Sequence, residues 1–188
     1  MIGMHASDTS MIATSRSEIL LRRIRILLLA FIVGLVLSGV TAFPLETELR
    51  WLTNLLGAGS STRPEDATGV LHWLVVVRDA LIATNARYPF IAYGTDWLAF
   101  AHIVIAIAFI GPLRDPVRNS WVVTFGLIAC AAVVPLALIA GAVRGIPLYW
   151  RLIDCSFGVG GALLLWPCRR AIQELETLGV ASVRRNAA

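Results

Sequence analysis

Lysine is absent from this chain of 188 residues, so all 16 of its basic side chains are arginine. A base-composition bias in the source genome explains that skew as readily as any physical demand, and it carries no argument. The scarcity of charge carries more. Charged residues make up 15% of the chain against 57% hydrophobic ones, with a mean hydropathy of +0.76. Soluble domains carry about 25% charged residues, so this composition excludes an ordinary soluble domain and points to a lipid bilayer. Cysteine is scarce too: Cys130, Cys155 and Cys168 are scattered and form no CxxC pair, which excludes a disulfide scaffold and thiol exchange and leaves packing as their role. No HExxH, no Walker pattern and no Ser-His-Asp order is present. The net charge of +4 comes from arginines at the ends of apolar runs, where membrane orientation already accounts for them, so no nucleic-acid partner is expected.

Long apolar runs are what the chain does have. After the arginines at 22, 23 and 25, Ile26 to Phe43 is unbroken hydrocarbon and small residues, close to the ~20 residues that cross a bilayer, and Pro44 closes it. Further spans follow at about 91–113, 121–142 and 147–166. The second ends in "GPLRDPVRN", whose prolines stop a helix, and the third contains Pro135 as an expected kink. Arg22, Arg23 and Arg25 precede the first span, Arg114 and Arg118 separate the second from the third, and Arg169 and Arg170 follow the fourth. An even number of spans puts all three groups on the cytoplasmic side, with both termini inside. A cleavable signal peptide competes for the first span, because "SGVTAF" offers small residues behind a charged start. The long n-region and the length of the run argue against cleavage.

The predicted fold class is therefore all-α: a polytopic membrane protein built as a four-helix transmembrane bundle with two interfacial extracytoplasmic helices. Residues 1–25 form a cytoplasmic tail, polar and aperiodic to about Ser17 and so expected to be disordered. Residues 26–168 form one membrane domain, and 169–188 a second cytoplasmic tail. The extracytoplasmic segment, 44–90, holds the two interfacial helices. In the first, Leu45, Leu49, Leu52 and Leu56 recur at helical spacing before Gly57, and Trp51 suits headgroup depth. In the second, Thr62 and Glu65 have capping-box spacing, and Leu71, Leu74, Val77 and Leu81 form the apolar stripe. Reading this helix as a fifth span would put Arg78 and Asp79 near mid-bilayer and reverse every later loop against the arginine distribution.

Ionisable groups inside the spans are the candidate functional residues, since each costs several kcal/mol without a partner. At ~1.5 Å per residue, Asp96 lies about 7 Å inside the outer boundary of the second span. Arg144 ends the third span, and Arg151 and Asp154 enter the fourth from the same boundary, three residues apart on one face. Asp96, Arg144, Arg151 and Asp154 thus make a neutral set at one depth, which Tyr93 and Tyr149 help to complete as an outward-facing polar cup for a ligand or for structure. His102 is deeper, roughly 15 Å from either surface, where a neutral imidazole is expected. Cys130 falls at nearly its depth. Two ligands do not make a zinc site, so no metal is expected. Small residues at Gly34 and Ser38, at Ser156 and Gly160, and at Gly158 and Ala162 repeat at four-residue spacing, which permits close helix approach.

The strings "YPFIAYGTDWLAFAHIVIAIAFIGPLRDPVRNSW" and "IPLYWRLIDCSFG" resemble small four-pass bacterial inner-membrane proteins of uncharacterised function. That resemblance covers roughly residues 87 to 158 and implies location, not mechanism. Three functional readings follow. The one favoured is a non-enzymatic accessory or ligand-binding bundle whose cup meets a solute, a membrane partner protein or a second copy, with no cofactor. A haem-, quinone- or lipid-handling enzyme subunit using His102, Asp96 or Asp154 is the second, with haem ligated by His102. A small oligomeric transporter is the third, weakened by the lack of an inverted repeat and of a relay past the one deep ionisable group.

Overall fold

The computed structural model describes residues 3–186, with side chains described for residues 15–179. Every regular element in it is helical: α1 Gly3–Ala42, α2 Leu45–Leu55, α3 Gly69–Arg87, α4 Tyr93–Ala108, α5 Ile110–Arg114, α6 Ser120–Val143 and α7 Leu148–Asn186, with single 3-10 turns at Pro64–Asp66 and Pro89–Ala92. Four stretches are long and apolar enough to cross a membrane: Ser15–Ala42, Pro89–Arg114, Ser120–Val143 and Leu148–Gly179. They coincide with the four predicted spans. The helices run further than those spans do. α1 takes in the segment expected to be a disordered tail, because Leu20, Ile24 and Leu28, one turn apart and buried, continue the apolar ridge through the arginines. Beyond Arg169, α7 likewise continues as helix through the expected tail, with Ala171 and Ile172 buried.

The chain divides into two compact units, residues 1–33 with 107–188, and residues 34–106. In the first, α6 and α7 form an antiparallel hairpin. Its turn is dictated by "GAVRGIP": Gly145 takes φ +70°, Ile146 N–H returns to the Gly141 carbonyl at 2.9 Å, and Gly145 N–H to Ala142 at 3.1 Å. This is a glycine-terminated helix end followed by a proline that cannot continue it. Along the hairpin, positions descend on α7 as they ascend on α6: Gly126 meets Leu165, Cys130 meets Gly161 and Gly158, and Gly141 meets Arg151. A methyl group at Gly158 would lie 2.5 Å from the Cys130 carbonyl oxygen, and one at Gly161 would lie 2.6 Å from the Cys130 sulfur. Gly160 and Gly34, by contrast, face open space. The contact glycines are thus three apart rather than the expected four, because α7 turns the 158/161 edge toward α6.

Phe109, fully buried, packs on Phe31 with ring centroids 4.7 Å apart and fills the space left by Gly126. It also marks the break between α4 and α5. Pro112 has no N–H for the Ala108 carbonyl, and the missing bond falls at this break, whereas α6 and α7 run on through Pro135 and Pro167.

In the second unit α1 crosses α4 at Gly39, where a methyl would come 2.9 Å from the Ala99 carbonyl. Its other half is the pair α2 and α3, held by a buried arginine. Arg78, 2% exposed, donates from Nη1 to the Gly59 carbonyl at 3.0 Å, from Nη2 to the Thr62 carbonyl at 2.9 Å, and from Nε to Asp79 at 2.8 Å. Longer contacts reach the Thr53 hydroxyl and the Ala58 carbonyl. The buried stripe of α3 is Leu74, Val75 and Arg78, not the expected line through Val77 and Leu81. Thr62 and Glu65 do not form the expected box either. Arg63 N–H bonds the Asp66 carboxylate at 3.3 Å instead, leaving the Thr62 carbonyl to Arg78.

Three substitutions test these packings. Gly158→Val places carbon against a backbone carbonyl that cannot yield, and should lower stability in detergent by about 2–3 kcal/mol, whereas Gly160→Ala should leave the melting temperature unchanged or slightly raised. Arg78→Met strands several buried oxygens and should cost about 3 kcal/mol, seen as faster amide exchange across α2 and α3.

Candidate functional site

The residues predicted as one cup fall in both compact units. Arg144, Tyr149, Arg151 and Asp154 belong to the first, and Tyr93 and Asp96 to the second. Within the first, Arg151 and Asp154 do not pair. The Arg151 stem lies along Gly141, its Nη1 donates to the Leu138 carbonyl at 3.2 Å, and its Nε is buried with no partner among the described residues. A guanidinium laid across α6 is aimed away from the carboxylate one turn further along its own helix. Among the described residues Asp154 forms no ion pair. Arg144 stands exposed at the C-terminal end of α6, and Tyr149 is part-exposed at the start of α7.

Within the second unit, Tyr93, Asp96, Trp97 and Phe100 occupy positions i, i+3, i+4 and i+7 and so share one face of α4. Each ring is more than half exposed, at 62%, 57% and 52% for Tyr93, Trp97 and Phe100. Tyr93 meets Trp97 edge-on at 6.0 Å, and Trp97 meets Phe100 edge-on at 6.0 Å, so the row is self-supporting. Phe43 at the end of α1 completes an open groove of about 300 Å³ against these residues. Asp96 is the one charged residue lining it. It sits in the first turn of α4, and it makes no ion pair or hydrogen bond among the described residues.

His102 and Cys130 also belong to different units. Nδ1 of His102 meets the Leu98 carbonyl of its own helix at 2.8 Å, so in the neutral ring Nδ1 carries the proton and Nε2 the lone pair. Thr124 donates to the Ser120 carbonyl at 3.3 Å and accepts from Arg169 Nε at 3.2 Å. Cys130 is buried against Gly158 and Gly161. Among the described residues no group of three His, Cys, Asp or Glu side chains could hold a metal.

Sequence reasoning passed over Arg78, Arg169, Trp97, Phe100 and Phe43. The spacing of Leu71, Leu74, Val75 and Arg78 was the available signal for the first, and the i, i+3, i+4, i+7 face around Asp96 for the groove. Compared with known proteins, the chain matches no family model, no curated protein and no solved structure.

Outside the spans, Glu46 ties α2 to α3. It accepts from Asn85 at 2.7 Å and from Arg50 at 2.9 Å, and these bonds hold its carboxyl below the usual range despite partial desolvation. A carboxyl whose value is lower folded than unfolded stabilises the fold above the ordinary glutamate range, about pH 4.3, and loses that contribution as pH falls through the folded value. Acidification from neutral to about pH 3 should therefore speed exchange in α2 and α3, and Glu46→Gln should flatten that dependence, as read by amide exchange at both pH values.

Proposed function

We propose that this chain is a non-enzymatic, ligand-binding protein of a bacterial inner membrane, with both termini cytoplasmic, whose outward-facing site takes an organic ammonium group. The observation that carries this reading is the unpartnered Asp96 carboxylate on a face of exposed rings. A primary or quaternary ammonium is attracted to the faces of Trp, Tyr and Phe, best of all Trp, and a carboxylate among them supplies the counter-charge. Four rings and one acid have no nucleophile and no second acid or base among them, which supports binding rather than turnover. A purely structural network would need Asp96 and Asp154 to be neutralised by arginine. Arg151 spends its Nη1 on the Leu138 carbonyl instead, and Asp96 makes no ion pair among the described residues. The orientation rests on the arginines at 22–25, 114–118 and 169–170, all on one side when four helices cross.

Titrating the purified protein in an uncharged detergent with choline should give a saturable change in tryptophan fluorescence. Trp97→Leu should abolish that change, and Asp96→Asn should weaken binding about tenfold at an unchanged melting temperature. No saturation in the native protein, or equal affinity in the Asp96→Asn variant, would refute the reading.

A further inference from the structure

A second cavity, in the other compact unit, points to a ligand of opposite charge. The apolar run of α7 ends at Trp166, Pro167 and Cys168, and Trp166, Arg169, Arg170 and Gln173 then line a recess of about 250 Å³. These four sit at i, i+3, i+4 and i+7, so they make one continuous face of the helix. No carboxylate lines the recess. Glu174, the next acid along α7, is held by Arg16 through hydrogen bond and ion pair.

Both guanidinium groups are fixed before any ligand arrives. Arg169 is tied to α6 by its Nε bond to the Thr124 hydroxyl at 3.2 Å. Its Nη1 is sealed from solvent and has no partner among the described residues. Arg170 is stacked over the Trp166 ring, 5.4 Å from its centroid, which places its charge beside an indole of the kind that settles at headgroup depth. Arg22 and Arg25 before the first span also line a recess, but the Glu18 carboxylate shares it, whereas no acid lines the recess at Arg169 and Arg170.

We propose that Arg169 and Arg170, with Trp166 and Gln173, form a binding site for the phosphate of an anionic phospholipid at the end of the fourth span. The phosphodiester oxygens accept from the Arg170 fork and the Gln173 amide, Arg169 adds its fixed positive charge beside them, and the acyl chains continue along the apolar part of α7. The assignment does not depend on the ammonium site or on which leaflet this end of α7 meets.

Native mass spectrometry of the full-length protein, released from mixed micelles of phosphatidylglycerol and phosphatidylcholine, tests the proposal. The native protein should retain phosphatidylglycerol about tenfold over phosphatidylcholine, and Arg169→Gln with Arg170→Gln should abolish the preference. Arg170→Gln alone changes an exposed side chain, so it leaves folding intact and should still weaken retention several-fold. Arg22→Gln with Arg23→Gln removes the same charge elsewhere and should leave the preference in place. Equal loss in that control would overturn the site in favour of diffuse attraction. Displacement of the lipid by millimolar inorganic phosphate would overturn the lipid assignment in favour of a soluble phosphate ligand.

Discussion

A guanidinium group taken out of water must find oxygen atoms, and in this chain it finds them on main chains and hydroxyls more than on acids. Arg78 is the clearest case, with two loop carbonyls and a neighbouring aspartate around one fork. Arg151 reaches the Leu138 carbonyl and Arg169 the Thr124 hydroxyl in the same manner. The planar fork presents five donors and is less heavily hydrated than an ammonium, so arginine tolerates such placements where lysine would not. This division leaves the aspartates of the spans uncommitted. Asp154 makes no ion pair among the described residues because Arg151 turns to α6 instead.

Around those polar fixtures the helices meet through absent side chains. Gly126, Gly141, Gly158 and Gly161 each stand where a neighbour occupies the space a methyl would need. In hydrocarbon, where apolar contact between helices displaces only other apolar matter, close backbone approach and dispersion carry most of the association. Gly141 joins both themes, since its missing side chain is what lets the Arg151 stem lie across α6.

Length and hydropathy made the spans legible, because a run of some 20 apolar residues has few other readings. The helices at Leu45–Leu55 and Gly69–Arg87 were legible from their leucine spacing and from Gly57. The side of each helix that becomes buried was harder. The α3 stripe was read through Val77 and Leu81 because an arginine is discounted as a core residue, yet Arg78 takes that position by gathering carbonyls. Depth and a three-residue spacing suggested that Arg151 and Asp154 pair. Depth cannot register that a glycine on the facing helix opens a more favourable route for the guanidinium. The aromatic face around Asp96 was present in the spacing, but in a membrane protein exposed rings pass as lipid contacts until a charge is noticed among them.

The connection between α6 and α7 is four residues long, from Arg144 to Pro147, and it is fully used in turning the chain. Nothing in it can pause in water as a separate folded element. So short a link holds the two helices side by side and antiparallel, and leaves the glycine seam little chain to search before it can close.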